Sequence, residues 1–247
     1  MPVSTSMPIA LASEARPWEG AGWRAVEAQH KSATLGLVHG NLAEQDLLEV
    51  ILDEAKPRLP ADAEGLHFLL SSPFRYLPQI AGSRFRSPLE PGVFYGAEEV
   101  KTACAEAGYW RLRFWMDSTG LSTQPASLQM TLFEFHGKAE ATIDLTCLPF
   151  SERRIQWISP SDYQATQAIA TQARNKSIQL IRYESARNCP NGRCLAVLSP
   201  QVFKSVKEPF RHQIQGWNLF IQPPDLTVWQ RTLTPDRFQF RYPLAGV

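Results

Sequence analysis

The second half of the chain is built from short strand-like segments, and nothing else in the sequence constrains the fold as much. Leu128, Met130 and Leu132 alternate with Gln129 and Thr131, and Ala141, Ile143 and Leu145 alternate with Thr142 and Asp144. A period of two marks a strand with one buried face. His136-Gly137 lies between these two runs and reads as the turn of a hairpin. Further strands are expected at 178–183, 195–198, 213–221, 226–232 and 237–242. One helical pattern interrupts them at 162–175, with Ser161 as N-cap and Ala165, Ile169 and Ala173 on one stripe. Strands that outnumber helices and come in runs predict an α+β fold with mixed or antiparallel sheets and flanking helices, not a repeating βαβ unit.

The first half is less regular. Pro2, Pro8 and Pro17 sit among small residues, so 1–20 reads as irregular. Asn41 followed three residues later by Glu44 resembles a capping box, and Leu47, Leu48, Ile51, Leu52 and Ala55 then form an apolar stripe ended by Pro57. This predicts a helix at about 42–56 whose stripe packs against the body. The apolar run 67–70 reads as a short buried strand, and 71–91, rich in Pro, Ser, Gly and Arg, as a loop. Val93-Phe94-Tyr95 reads as a strand stopped by Gly96. A helix follows over about 98–116, with Val100, Ala103, Ala107, Trp110 and Phe114 at three- and four-residue intervals. The domain reading is an N-terminal extension over 1–60 and a main domain over 61–247.

The formal net charge of +1 supplies no general field toward nucleic acid or membrane, so neither is an expected partner. Cys104, Cys147, Cys189 and Cys194 and the five scattered histidines lack the paired short spacing of a metal site, so no metal is expected. No stretch approaches the roughly 18 apolar residues of a membrane span, and the start lacks a basic n-region. A cytoplasmic location is the expectation. Both the Gly-x-Gly-x-x-Gly fingerprint and the P-loop are missing.

Residues 74–106 concentrate the groups that carry chemistry. Arg75, Arg84 and Arg86 fall within twelve residues, near Tyr76 and Phe85. The guanidinium fork suits phosphate and carboxylate, so one reading is a loop that holds a phosphorylated ligand with a flat ring. The other is a solvated loop whose arginines pair with Glu90 and Glu98. Glu106 lies eight residues after Glu98 and seven after Glu99, so all three fall near one helical face. Flanked by Ala103, Cys104, Ala105 and Ala107, Glu106 reads either as a carboxylate that stabilises developing positive charge or as an ordinary surface residue.

Gly82-Ser83-Arg84-Phe85, Tyr95-Gly96-Ala97 and Ala103-Cys104-Ala105-Glu106 follow one another, with Arg84, Tyr95 and Glu106 eleven residues apart each time. These motifs resemble the successive segments of the RES domain family, in its longer form. Arg182-Tyr183-Glu184-Ser185-Ala186-Arg187 matches the setting of the family's serine, at Ser185. Phe74-Arg75-Tyr76 resembles its first arginine. Where the family commonly has a glycine and then an asparagine, this chain has Gly192-Arg193-Cys194-Leu195.

The resemblance implies an ADP-ribosyltransferase-like fold over 61–247 and an enzyme that consumes NAD+ by cleaving its nicotinamide–ribose bond. Phosphorolysis to ADP-ribose-1-phosphate and nicotinamide is the expected reaction, as the toxin of a toxin–antitoxin pair. Hydrolysis, ADP-ribosyl transfer on the same site, or a silent binding protein with the same fold are the alternatives. It also implies roles: Glu106 stabilises the oxocarbenium-like centre, Tyr95 stacks on nicotinamide or ribose, Arg84 with Arg75 clamps pyrophosphate or phosphate, and Ser185 donates to ribose or phosphate. NAD+ is then substrate, inorganic phosphate a co-substrate, and no cofactor is required. An Xre-like antitoxin and a homodimer are the expected protein partners.

Overall fold

A computed structural model describes residues 11–28, 37–76, 82–190, 192–203 and 214–243 of the chain. The elements in order are β1 (Arg16–Glu27), α1 (Leu42–Glu54), α2 (Phe68–Arg75), β2 (Phe94–Ala97), α3 (Val100–Asp117), β3 (Ala126–Asp144), α4 (Arg154–Trp157), α5 (Gln164–Asn175), β4 (Leu180–Glu184), β5 (Arg193–Val197), β6 (Ile214–Gln222), β7 (Leu226–Arg231) and β8 (Arg237–Arg241). The strands form one sheet in the order β1-β2-β5-β4-β3-β6-β7-β8. All pairings are antiparallel except β3 with β4. The α+β class with mostly antiparallel strands is thus as the sequence pattern predicts.

The long strand β3 organises the sheet. It pairs with β6 at its start, with β1 along its middle and with β4 at its end. Because β1 also meets β2, the strands β1, β2, β5, β4 and β3 close into a ring. This corrects the expected hairpin at His136-Gly137, which lies inside β3. Gly137 makes room there: a Cβ would come within 2.8 Å of Val202 Cγ1 and 3.3 Å of the Trp18 ring. Gly96 likewise does not end its strand, which continues to Ala97; a Cβ on it would lie 2.5 Å from the Phe135 ring.

Strand alternation sorts the buried side chains into two clusters. Phe94, Phe133, Phe135, Leu195 and Val197 share one with Phe203. Tyr183, Cys194 and Ala196 face the other way and join a cluster with Leu112, Ile169 and Trp229. On that second face α3 is fixed to the sheet. Gly108 lets it approach, with Tyr242 Oη, Trp229 Nε1 and Thr227 Oγ1 within about 3 Å of a Cβ there, and Tyr242 Oη donates to the Ala105 carbonyl at 2.8 Å. The residue next along α3 is Glu106.

Several other expectations change. Residues 67–70 are not a strand: His67 caps α2, its Nδ1 accepting from the Leu69 N–H at 3.2 Å, and the helix buries Leu70, Ser71 and Phe74. A four-residue apolar run is too short for periodicity to separate the two outcomes. Helix α2 also begins the segment read as loop, of which 77–81 lie outside the described residues. The region read as irregular holds β1 from Arg16 onward, and 1–10 lie outside the described residues. The cap of α1 is as expected, with Asn41 Oδ1 accepting from the N–H groups of Ala43 and Glu44. Its apolar stripe is largely unpacked: Leu47, Ile51 and Leu52 are exposed and Leu48 is half-buried, and among the described side chains of the helix only Gln45 is buried. No helix among the described residues is long and apolar enough to cross a membrane.

Candidate active site

The Arg84 loop is a tight turn. Ser83 and Arg86 exchange backbone hydrogen bonds at 2.8 and 3.1 Å. Gly82 enters it at φ +66°, where a Cβ would meet the Arg86 carbonyl oxygen at 2.2 Å, so only glycine fits. Phe85 plugs the turn into the core against Tyr183, edge to face at 4.7 Å. The Tyr95 hydroxyl pins it from β2: it accepts the Phe85 N–H at 2.9 Å and shares a hydrogen bond with Ser83 Oγ at 2.8 Å. Burial pushes the Tyr95 phenol up, and these hydrogen bonds only partly offset that. Tyr95 therefore stays neutral and positions the loop.

Arg84, Tyr95 and Glu106, spaced at eleven residues in sequence, line one cavity of about 400 Å³. Ser185 reaches it through Glu106. Fully buried after β4, its hydroxyl donates to Glu106 Oε1 at 2.6 Å and accepts the N–H groups of Arg187 and Asn188 at 3.0 Å each. In this arrangement its proton is directed at the carboxylate. Cys194, from β5, lies 3.9 Å from the same oxygen, its thiol pushed well up by burial and by the nearby Glu106. Cys189 and Cys194 are both free thiols.

Arg75 does not line the cavity; it ends α2 and its Nε is buried without a partner among the described residues. Nor do Glu98 and Glu99 join Glu106. They precede the first turn of α3, and Glu98 holds Arg182 in a separate cleft at 2.5 and 2.9 Å. The expected pairing of loop arginines with Glu90 and Glu98 is also replaced. Glu90 takes Arg174, Arg84 donates to the Trp157 carbonyl, and Arg86 donates to the carbonyls of Glu90 and Tyr76.

The cavity holds two further arginines. Arg24, from β1, donates to the Tyr95 carbonyl at 2.7 Å and lies 4.6 Å over the Phe94 ring. Arg187 donates to the Pro160 carbonyl at 2.6 Å and lies 3.3 Å over Tyr109. Arg84 repeats the pattern, with the Trp157 carbonyl at 2.9 Å and the Tyr163 ring at 4.6 Å. Each of the three is thus held by one carbonyl and one aromatic ring, and none by a carboxylate among the described residues. Such contacts orient a guanidinium without neutralising it. Burial lowers Arg24 to about 10, partly countered by Tyr95, so it remains charged at neutral pH. The Nε atoms of Arg24 and Arg187 are buried without partners among the described residues. Among the described residues Glu106 is the only carboxylate in the lining, so the cavity favours an anion.

Arg24 carried no signal of a distant partner in sequence. The one available clue is its setting, a lone cation in Ala21-Gly22-Trp23-Arg24-Ala25-Val26. An α+β sheet with a cationic cavity around one held carboxylate describes a site for an anionic substrate. Residues 58–221 match the RES domain, and the chain belongs to that family. Arg24 lies outside the matched residues. No curated protein matches the chain. Among solved structures, the crystal structure of the M. tuberculosis MbcT–MbcA toxin-antitoxin complex is similar at a TM-score of 0.49 with 13% identity, over 89% of this chain and 94% of that one. Similarity at that level carries no argument about function.

Proposed function

We propose that the chain cleaves the nicotinamide–ribose bond of NAD+ in this cavity, with inorganic phosphate as the acceptor that yields ADP-ribose-1-phosphate. One observation carries the reading: among the described residues, three arginines, none paired with a carboxylate, converge on a cavity whose single carboxylate is Glu106. Fixed cations without counter-ions suit a pyrophosphate and an attacking phosphate. A carboxylate oriented by a buried serine suits the positive charge that develops at the ribose carbon as nicotinamide leaves. In this reading Arg24, Arg84 and Arg187 hold phosphate oxygens and Glu106 stabilises the oxocarbenium-like centre. Tyr95 and Ser185 act as positioning residues. RES family membership supports the NAD+ reading and a role as the toxin of a toxin–antitoxin pair, with an antitoxin protein as partner.

The test is incubation with NAD+, with and without phosphate, and identification of products by mass. ADP-ribose-1-phosphate formed only with phosphate is the expected result. Free ADP-ribose alone would assign hydrolysis, and label on a protein would assign transfer. Nicotinamide release undiminished in Glu106→Ala would overturn the site.

A further inference from the structure

We infer that Trp110 is a stacking platform for a planar heteroaromatic ring of the substrate, adenine or nicotinamide, at the mouth of the cavity. This rests on the cavity being a dinucleotide site. Ala103, Glu106, Ala107 and Trp110 all line it. Their spacing puts them on one face of α3. Trp110 therefore stands one turn, about 6 Å along the axis, beyond the carboxylate assigned to the reacting bond.

The indole serves no core. Trp110 is 50% exposed and belongs to neither hydrophobic cluster, although the cavity wall includes it. Among the described residues it has one aromatic neighbour. The buried Tyr109 ring meets it at 5.3 Å and 79°, edge to face, and the same Tyr109 carries Arg187 at 3.3 Å. One tyrosine thus supports both a cation for phosphate and an aromatic surface beside it. A flat base with a phosphate at short covalent distance matches that pair. Covering the exposed indole with such a ring removes apolar surface from water and adds stacking. A cationic nicotinamide ring adds a cation–π contribution. Phe114, one turn further along, is 60% exposed and does not line the cavity, so it provides the comparison.

The experiment is steady-state kinetics of the full chain on NAD+ and on nicotinamide mononucleotide, for Trp110→Ala, Trp110→Phe and Phe114→Ala. Trp110→Ala is expected to raise KM for NAD+ roughly 5- to 150-fold, the range of one lost base–aromatic stack. Trp110→Phe keeps an aromatic face and restores most of the affinity, and Phe114→Ala leaves KM unchanged. If KM for the mononucleotide rises equally, the ring held is nicotinamide; if it does not move, the ring is adenine. Cleavage of NAD+ by Trp110→Ala with unchanged KM overturns this inference alone. No NAD+ cleavage by the unaltered chain overturns the dinucleotide reading and this inference with it.

Discussion

Ser185 gives its hydroxyl proton to Glu106 Oε1 at 2.6 Å and receives two backbone N–H groups on the same oxygen. The serine is buried and the glutamate lines the cavity, so the pair transmits the rigidity of the β4 end to the reacting centre. A group that acts through another lowers kcat when removed and spares ground-state binding. Ser185→Ala is expected to reduce kcat by about 10- to 100-fold with KM nearly unchanged, because Glu106 loses one oriented donor. It should also destabilise the fold by about 1–3 kcal/mol, since the Arg187 and Asn188 N–H groups lose their acceptor. Separate measurement of kcat and KM, with a urea titration, checks both. A rise in KM at constant kcat would instead put the hydroxyl on the ligand.

Arg24 carries charge into the protein with no carboxylate to meet it among the described residues. Desolvation of this half-buried cation opposes folding, a cost that binding offsets in the proposed reading. Arg24→Met keeps the length and apolar stem and removes the charge. Its melting temperature without ligand should equal or exceed that of the unaltered chain, while KM for NAD+ rises at least about tenfold through the lost charge-assisted contact. A lowered melting temperature together with unchanged KM would make Arg24 a structural residue of the β1–β2 junction.

Of the expected site residues, Arg84, Tyr95 and Glu106 share the cavity wall; they were legible through the resemblance of their motifs to the RES family, since composition and periodicity left their roles open. Local capping was legible too, at Asn41. What escaped the sequence has two physical causes. Some glycines serve packing and not turning: Gly96 and Gly137 admit Phe135, Trp18 and Val202 to the interior of strands, and nothing local distinguishes them from turn glycines. Other features depend on contacts far apart in the chain. Arg24 reaches Tyr95 across 71 residues, and Ser185 reaches Glu106 across 79. Arg75 resembles the family's first arginine but does not line the cavity, whereas β1 brings Arg24 to it from the segment read as an extension.

Gly82 tests how much the Arg84 loop depends on its turn. At φ +66° with the Arg86 carbonyl oxygen 2.2 Å from a would-be Cβ, alanine must displace backbone. Gly82→Ala is expected to cost about 1–3 kcal/mol of stability and to lower kcat/KM at least about tenfold, because a guanidinium moved by an ångström loses its alignment. Gly120 is a useful contrast. It too has positive φ, at +85°, but nothing lies within 4 Å of its Cβ, so Gly120→Ala should carry backbone strain and no change in kcat/KM. Equal catalytic loss in both variants would show that global destabilisation, not loop geometry, sets activity.

The second cleft makes a prediction about acid stability. Arg182 grips Glu98 through Nε and Nη2 and Asp144 through Nη1 at 2.7 Å. Burial pushes the Asp144 carboxyl up, but hydrogen bonds from Thr146 and Arg182 outweigh it, so the folded value lies below the ordinary 3.8. A depressed carboxylate contributes its full stability above the unfolded value and loses it as pH falls through the folded one. Stability should therefore be flat across neutral pH with respect to this group and decline below about pH 4. Arg182→Gln is expected to cost about 1–3 kcal/mol at pH 7, between an exposed and a buried pair because these side chains are about a quarter exposed. It should also flatten the decline below pH 4 without abolishing it, since the Thr146 hydrogen bonds to Asp144 remain. Urea titrations of both proteins from pH 7 to pH 3 supply the comparison, and an unchanged slope in Arg182→Gln would mean that Thr146 alone holds the Asp144 carboxylate.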